Sequence, residues 1–128
     1  MIWTPLALMV ALIVYMFFGI QVGMARGRYG VKAPAVSGHP EFERYFRVQM
    51  NTLEQLMVIV PSSVAFAYFV GDMWAAIAVT VFIVGRLVYF RSYIADPDSR
   101  GAGFGLSALP GMVMLIGTII AIVLRLLS

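Results

Sequence analysis

The sequence predicts an all-α integral membrane protein, a single domain of four bundled helices over residues 1–128. Three observations carry this expectation. Hydrophobic residues make up 62% of the chain and charged ones 12%, about half the charged share of a soluble domain. The apolar residues fall into four stretches, each reaching the roughly 20 residues that a span of the hydrocarbon core requires. Most charges gather at the ends of these stretches, so the net charge of +3 is read as a topology signal rather than a nucleic-acid footprint.

The first stretch, about residues 2–25, has Thr4 and Gln21 as its few polar members and no basic segment ahead of it. It is expected to be a retained helix rather than a signal peptide. RGRYGVKAPAVSGH, from Arg26 to His39, is rich in Gly, Pro and basic residues and is expected to be a loop. Helix two, about 40–70, opens on Pro40 with Glu41 and Glu43 in its first turn, where the helix dipole favours acids. His39 is a loop residue at its start, and Pro61 is expected to kink it. Gly71-Asp72 is a tight turn that makes helices two and three antiparallel neighbours. Helix three, about 73–95, is broken by Asp96-Pro97-Asp98, and GAGFG (Gly101 to Gly105) leads into helix four, about 106–127. Loops one and three and their flanks carry Arg26, Arg28, Lys32, Arg44, Arg47, Arg91 and Arg100. The outer end of helix four has only Arg125, so loops one and three are expected to face the cytoplasm.

Cysteine is absent and His39 is the one histidine. That excludes a disulfide framework, a thiolate metal site and a His cluster, and no metal is expected. Any thiol chemistry has to come from a bound substrate.

Two polar stripes interrupt the apolar pattern. On helix two, Arg47, Asn51 and Glu54 are spaced four and three residues apart and share one face. On helix three, Arg86, Tyr89 and Tyr93 are spaced three and four apart. Charge near the bilayer centre costs roughly 2.5–3.5 kcal/mol on insertion scales, so such residues are rarely incidental. At about 1.5 Å per residue, Glu54 lies about 10 Å deeper than Arg47 and at a depth similar to Arg86. Glu54 and Arg86 are therefore expected to pair. Such a pair could hold the bundle together, with Asn51 as interhelical glue. The surplus favours a ligand: Arg26, Arg47 and Arg100 add cations at the same end, beside two phenols, an amide and one carboxylate. That set suits a polyanionic molecule with an amine, such as a small peptide. Gln49 points roughly 160° away from Arg47 around the helix, toward another helix or another subunit.

FERYFRVQMNTLEQ (Phe42 to Gln55) and GRLVYFRSYIADPDSR (Gly85 to Arg100) resemble segments of the MAPEG superfamily, membrane-associated proteins in eicosanoid and glutathione metabolism. The resemblance implies a four-helix subunit assembled as a homotrimer, with glutathione bound between neighbouring subunits near the cytoplasmic face. By the same resemblance Arg47, Asn51 and Glu54 hold the peptide's charged groups and backbone. Arg26, Gln49, Arg86, Tyr89 and Tyr93 match further ligand-contacting positions, and Arg100 matches the arginine beside the glutathione sulfur. Gln55 stands where some eicosanoid-synthesising members have Tyr, so the chain looks more like the bacterial, microsomal glutathione transferase-like type, in a bacterial inner membrane.

What this implies is a glutathione-dependent transferase or peroxidase. Arginine is no base at neutral pH, its pKa exceeding about 12, but as a fixed cation Arg100 could lower the thiol pKa and stabilise the thiolate. Glutathione is then the co-substrate, and a lipophilic electrophile or hydroperoxide reaches it from membrane lipid between helices one and four. One alternative is a non-catalytic scaffold of the same superfamily that binds lipid or glutathione, against which the presence of Arg100 argues. Another is a small multidrug transporter, which would want a carboxylate in helix one; Ile2 to Ala25 has none.

Overall fold

A computed structural model of the chain describes residues 1–128. Four α-helices follow one another: α1 (Trp3–Tyr29), α2 (Pro40–Phe69), α3 (Asp72–Ala95) and α4 (Gly101–Leu127), with one 3-10 turn at Pro97–Ser99. All four are long and apolar enough to cross a membrane. They run alternately up and down. α2 and α3 touch each other and both outer helices, whereas α1 and α4 sit on opposite flanks and scarcely meet.

The bundle has the radial pattern of a protein dissolved in lipid. Large apolar side chains such as Ile13, Met16 and Ile20 on α1 and Leu115, Ile116 and Ile119 on α4 face outward. Inside, polar Thr4, Thr52, Ser63, Ser107 and Arg86 are almost wholly buried beside a core of apolar side chains that includes Phe18, Ile59, Phe82 and Met114. Lipid offers no hydrophobic drive between helices, so small residues and hydrogen bonds do the joining. The buried hydroxyls of Thr52, Ser63, Ser107 and Thr118 each donate to a carbonyl of their own helix, so none of these hydroxyl hydrogens is left bare in an apolar interior.

Two helix boundaries correct the expectation from sequence. α1 continues through Arg26, Gly27, Arg28 and Tyr29, four residues beyond the expected end at Ala25. It stops at Gly30, whose φ of 71° is left-handed, and the Gly30 and Val31 amides both close back on the Arg26 carbonyl. A glycine in that conformation is the usual helix stop. GAGFG is not a lead-in either but the first turn of α4. These glycines are needed for packing. A Cβ at Gly103 would run into the Tyr89 backbone, and one at Gly85 would lie 2.6 Å from the Ser107 amide nitrogen. α3 and α4 thus cross with their backbones nearly touching at two reciprocal glycines. α2 stays one helix across Pro61, and His39 caps it, its Nδ1 accepting from the Glu41 amide at 3.1 Å.

A second lock lies at the opposite end of the bundle. The Asp72 carboxylate, in the first turn of α3, accepts from the free amides at the start of α1: Ile2 and Trp3 at 2.9 Å each and Thr4 at 2.8 Å. The Thr4 hydroxyl donates to the Asp72 carbonyl at 2.9 Å. One acid therefore caps α1 while standing at the N-terminus of α3, where negative charge is also favoured.

Asp72→Ala is expected to lower the thermal midpoint in detergent by about 5 °C, with Asp72→Asn in between because one acceptor survives; circular dichroism melts measure this. Gly103→Ala is expected to cost about 1–3 kcal/mol through forced separation of α3 and α4. Gly27→Ala, with open space around the position, should be neutral or slightly stabilising through its better helix propensity.

Candidate functional site

The basic end of the bundle holds a cavity of about 470 Å3 lined by Arg47, Asn51, Tyr89, Tyr93, Arg100 and Phe104. Its size suits a small polar molecule. The helices supply these groups in order. Arg47 and Asn51 stand one turn apart on α2, as do Tyr89 and Tyr93 on α3, whose rings stack with centroids 5.4 Å apart. Arg100 comes from the turn between α3 and α4. That turn is fixed by the Ser99 hydroxyl, which donates to the Asp96 and Ser92 carbonyls, and by the Asp96 carboxylate, which accepts from the Asp98 amide. Arg100 itself donates to the Pro97 carbonyl at 2.8 Å and lies 6.0 Å from the centre of the Tyr93 ring.

A second lobe of about 480 Å3 adjoins this cavity and shares Arg47 and Tyr93 with it. Its other walls include Pro40, Glu43, Arg44 and Pro97. Arg44 is already engaged, donating to the Ile94 carbonyl at 2.8 Å and so capping the C-terminal end of α3.

Five of the nine site residues expected from sequence thus meet in one cavity: Arg47, Asn51, Tyr89, Tyr93 and Arg100. Four do not line it. Glu54 faces outward and accepts from Arg47 at 3.2 Å, with both side chains at least half exposed. The expected pair between Glu54 and Arg86 is not formed. Arg86 is fully buried behind the cavity wall, and its partners are neutral: Asn51 Oδ1 at 2.7 Å, Thr52 Oγ1 at 3.2 Å and Ser107 Oγ at 2.6 Å. The Tyr89 ring lies 4.3 Å from the guanidinium carbon, and Nε has no partner. The physical reason is angular. Thr52 faces the interior, and Glu54, two residues on, projects from nearly the opposite side of the helix. Asn51 is the interhelical contact instead.

Arg26 and Gln49 sit on the α1 side. Arg26 donates to the Ala35 carbonyl at 2.6 Å and lies 4.9 Å over the Phe42 ring, pinning the first loop. Gln49 packs against Gly19, its Nε2 3.0 Å from where a Cβ would stand.

Phe104 is a lining residue that the sequence reasoning missed. Four residues after Arg100, it shares that residue's face once GAGFG is helical. Taking the glycines for a linker hid the pairing. Thr52 and Ser107 were missed too, and nothing in an isolated Thr or Ser marks it as an anchor for an arginine.

Chemically, the cavity wall offers two guanidinium groups, an amide and two phenols, with one aromatic face at Phe104. Such a wall is chemically suited to hydrogen-bond acceptors and negative charge. The sequence model of the MAPEG family matches residues 4–120. The chain is 37% identical over 126 residues to an uncharacterized protein of Synechocystis sp., covering 98% of this chain and 92% of that protein. It is 38% identical over 91 residues to microsomal glutathione S-transferase 2 of Homo sapiens, covering 71% of this chain and 62% of that protein. To leukotriene C4 synthase of Mus musculus it is 32% identical over 92 residues, covering 72% and 61%. The match therefore spans under two thirds of each of these two animal proteins.

Proposed function

The chain belongs to the MAPEG family and is a multi-pass integral membrane protein, and on that premise we propose that it is a glutathione-dependent transferase or peroxidase acting on lipophilic substrates. The observation that carries the proposal is the convergence of Arg47, Asn51, Tyr89, Tyr93 and Arg100 on one cavity. Glutathione has two carboxylates, an ammonium, two amides and a thiol, and the wall meets it with cations and hydrogen-bond donors.

In the proposed division of labour, Arg47 and Asn51 hold the peptide's acceptor groups, and Glu54, which lies outside this chain's cavity and is paired with Arg47, meets the ammonium where a second copy closes the site. Arg100 lies beside the sulfur, where its fixed charge favours the thiolate over the thiol. With an electrophilic carbon, the thiolate donates its electron pair to form the C–S bond, and the leaving group departs with the pair it shared. With a hydroperoxide, the sulfur attacks the outer oxygen and the O–O bond breaks, giving an alcohol and a sulfenic acid. A second glutathione converts that acid to a disulfide and water. Phe104, exposed at the cavity wall, offers an apolar surface to the second substrate as it arrives from lipid.

The proposed assembly is a homotrimer with the basic end facing the cytoplasm of a bacterial inner membrane. Two features support a second copy at the site. Arg47 and Glu54 form an ion pair on the outside of a single bundle, where lipid would be a poor neighbour. Arg26 and Gln49 lie on the α1 side, away from the cavity of their own chain, and reach a ligand only across an interface.

Purified protein is expected to conjugate glutathione to a chlorodinitrobenzene-type electrophile. Arg100→Ala should lower kcat about 10²-fold, the usual size of losing one electrostatic stabiliser, while calorimetric glutathione affinity falls less. Binding without turnover across electrophiles and hydroperoxides would instead favour the scaffold. If the site is shared, mixing Arg100→Ala copies with Gln49→Ala copies should restore part of the activity that neither has alone.

A further inference from the structure

The proposed chemistry leaves the one buried charged group without a task. Arg86 is fully buried, and the chain's single ion pair lies elsewhere, between Arg47 and Glu54. A guanidinium has five N–H donors and no acceptor. The Asn51 atom 2.7 Å from its Nη1 is therefore the amide oxygen, and this choice commits the other end of the amide. Asn51 lines the cavity, and with its oxygen held below, the NH2 group is what remains to offer a ligand. The guanidinium cannot swing away. Ser107 accepts from Nη2 at 2.6 Å and Thr52 from Nη1 at 3.2 Å, and both hydroxyls spend their own hydrogens on helix carbonyls, Gly103 and Val48. The Tyr89 ring covers one face of the guanidinium at 4.3 Å.

We propose that Arg86 is a positioning residue: it touches no ligand, and by pinning the Asn51 oxygen it makes Asn51 an obligate hydrogen-bond donor into the cavity. An unpinned asparagine turns over and presents either end. A pinned one selects a carbonyl or carboxylate oxygen and rejects a donor in the same place, because a donor would face the NH2 group with neither able to accept. This rests on the glutathione-binding reading of the same cavity.

A double-mutant cycle tests it, with Asn51→Ala, Arg86→Met and the combined variant, reading KM and kcat for glutathione and its Kd by calorimetry. Arg86→Met leaves Thr52 and Ser107 bonded to their own helices. Arg86→Gln, which shows Asn51 a donor and an acceptor alike and so unpins it, takes its place if the Met protein does not accumulate. Each single change is expected to raise KM about tenfold, more than kcat falls, and the double variant should bind no more weakly than Asn51→Ala alone. Losses that multiply in the double variant mean that Arg86 acts independently of Asn51, and overturn the inference. So does an Arg86 variant with the unsubstituted KM. An unsubstituted protein that binds no glutathione overturns the reading of the cavity, and this inference with it.

Discussion

The polar half of this bundle depends on a buried cation that has no acid to neutralise it. Arg86 comes from α3, yet its hydrogen bonds go to α2 through Asn51 and Thr52 and to α4 through Ser107. A charge taken out of water needs every such contact, and hydrogen bonds to a charged group contribute about 1.5–3 kcal/mol each. Its Nε remains unpaired, so the arrangement is held with little to spare. Three helices are forced to meet at one point. The glycines make the meeting possible, since only with Gly85 and Gly103 stripped of side chains can α4 bring Ser107 within 2.6 Å of the guanidinium. The cavity is the outer surface of that junction, and its walls inherit the junction's rigidity.

Much of this was legible in the sequence, and the errors are instructive. Four spans, their antiparallel order and the two polar stripes follow from hydropathy and periodicity. The pairing of Glu54 with Arg86 failed because depth is only one coordinate. Two residues at equal depth meet only if their helical angles agree, and Thr52 already occupied the inward angle. GAGFG was misread for a different reason. Glycine is a poor helix former in isolation, and the backbone contact that rewards it here is tertiary, invisible in a local window. The extension of α1 to Tyr29 was signalled by Gly30, a stop residue in plain view, but the basic residues before it looked like loop.

The site residues divide in the same way. Four of the six on the α2 and α3 stripes, Arg47, Asn51, Tyr89 and Tyr93, converge with Arg100 within one chain, so spacing located most of the cavity. Arg26 and Gln49 are held elsewhere by Ala35 and Gly19, and no property of one chain could say more of them. The two kinds of arginine in the cavity also differ physically. Arg47 projects from within a long helix, about two turns past its start, braced by Glu54. Arg100 hangs on a short turn, exposed and tied through one carbonyl. On the proposed reading, the braced arginine suits holding the peptide, and the loosely tied one suits following the reacting sulfur.

The Asp72 latch has a consequence for how the chain is made. α1 leaves the ribosome about seventy residues before the carboxylate that caps it exists. Until α3 has been synthesised, the free amides at the start of α1 have no protein partner and must stay hydrated in the headgroup layer. The contact that ties the start of α1 to α3 can therefore form only once the α2–α3 hairpin is in place. The last element to fix the first helix is the third, so the bundle closes backward along its own sequence.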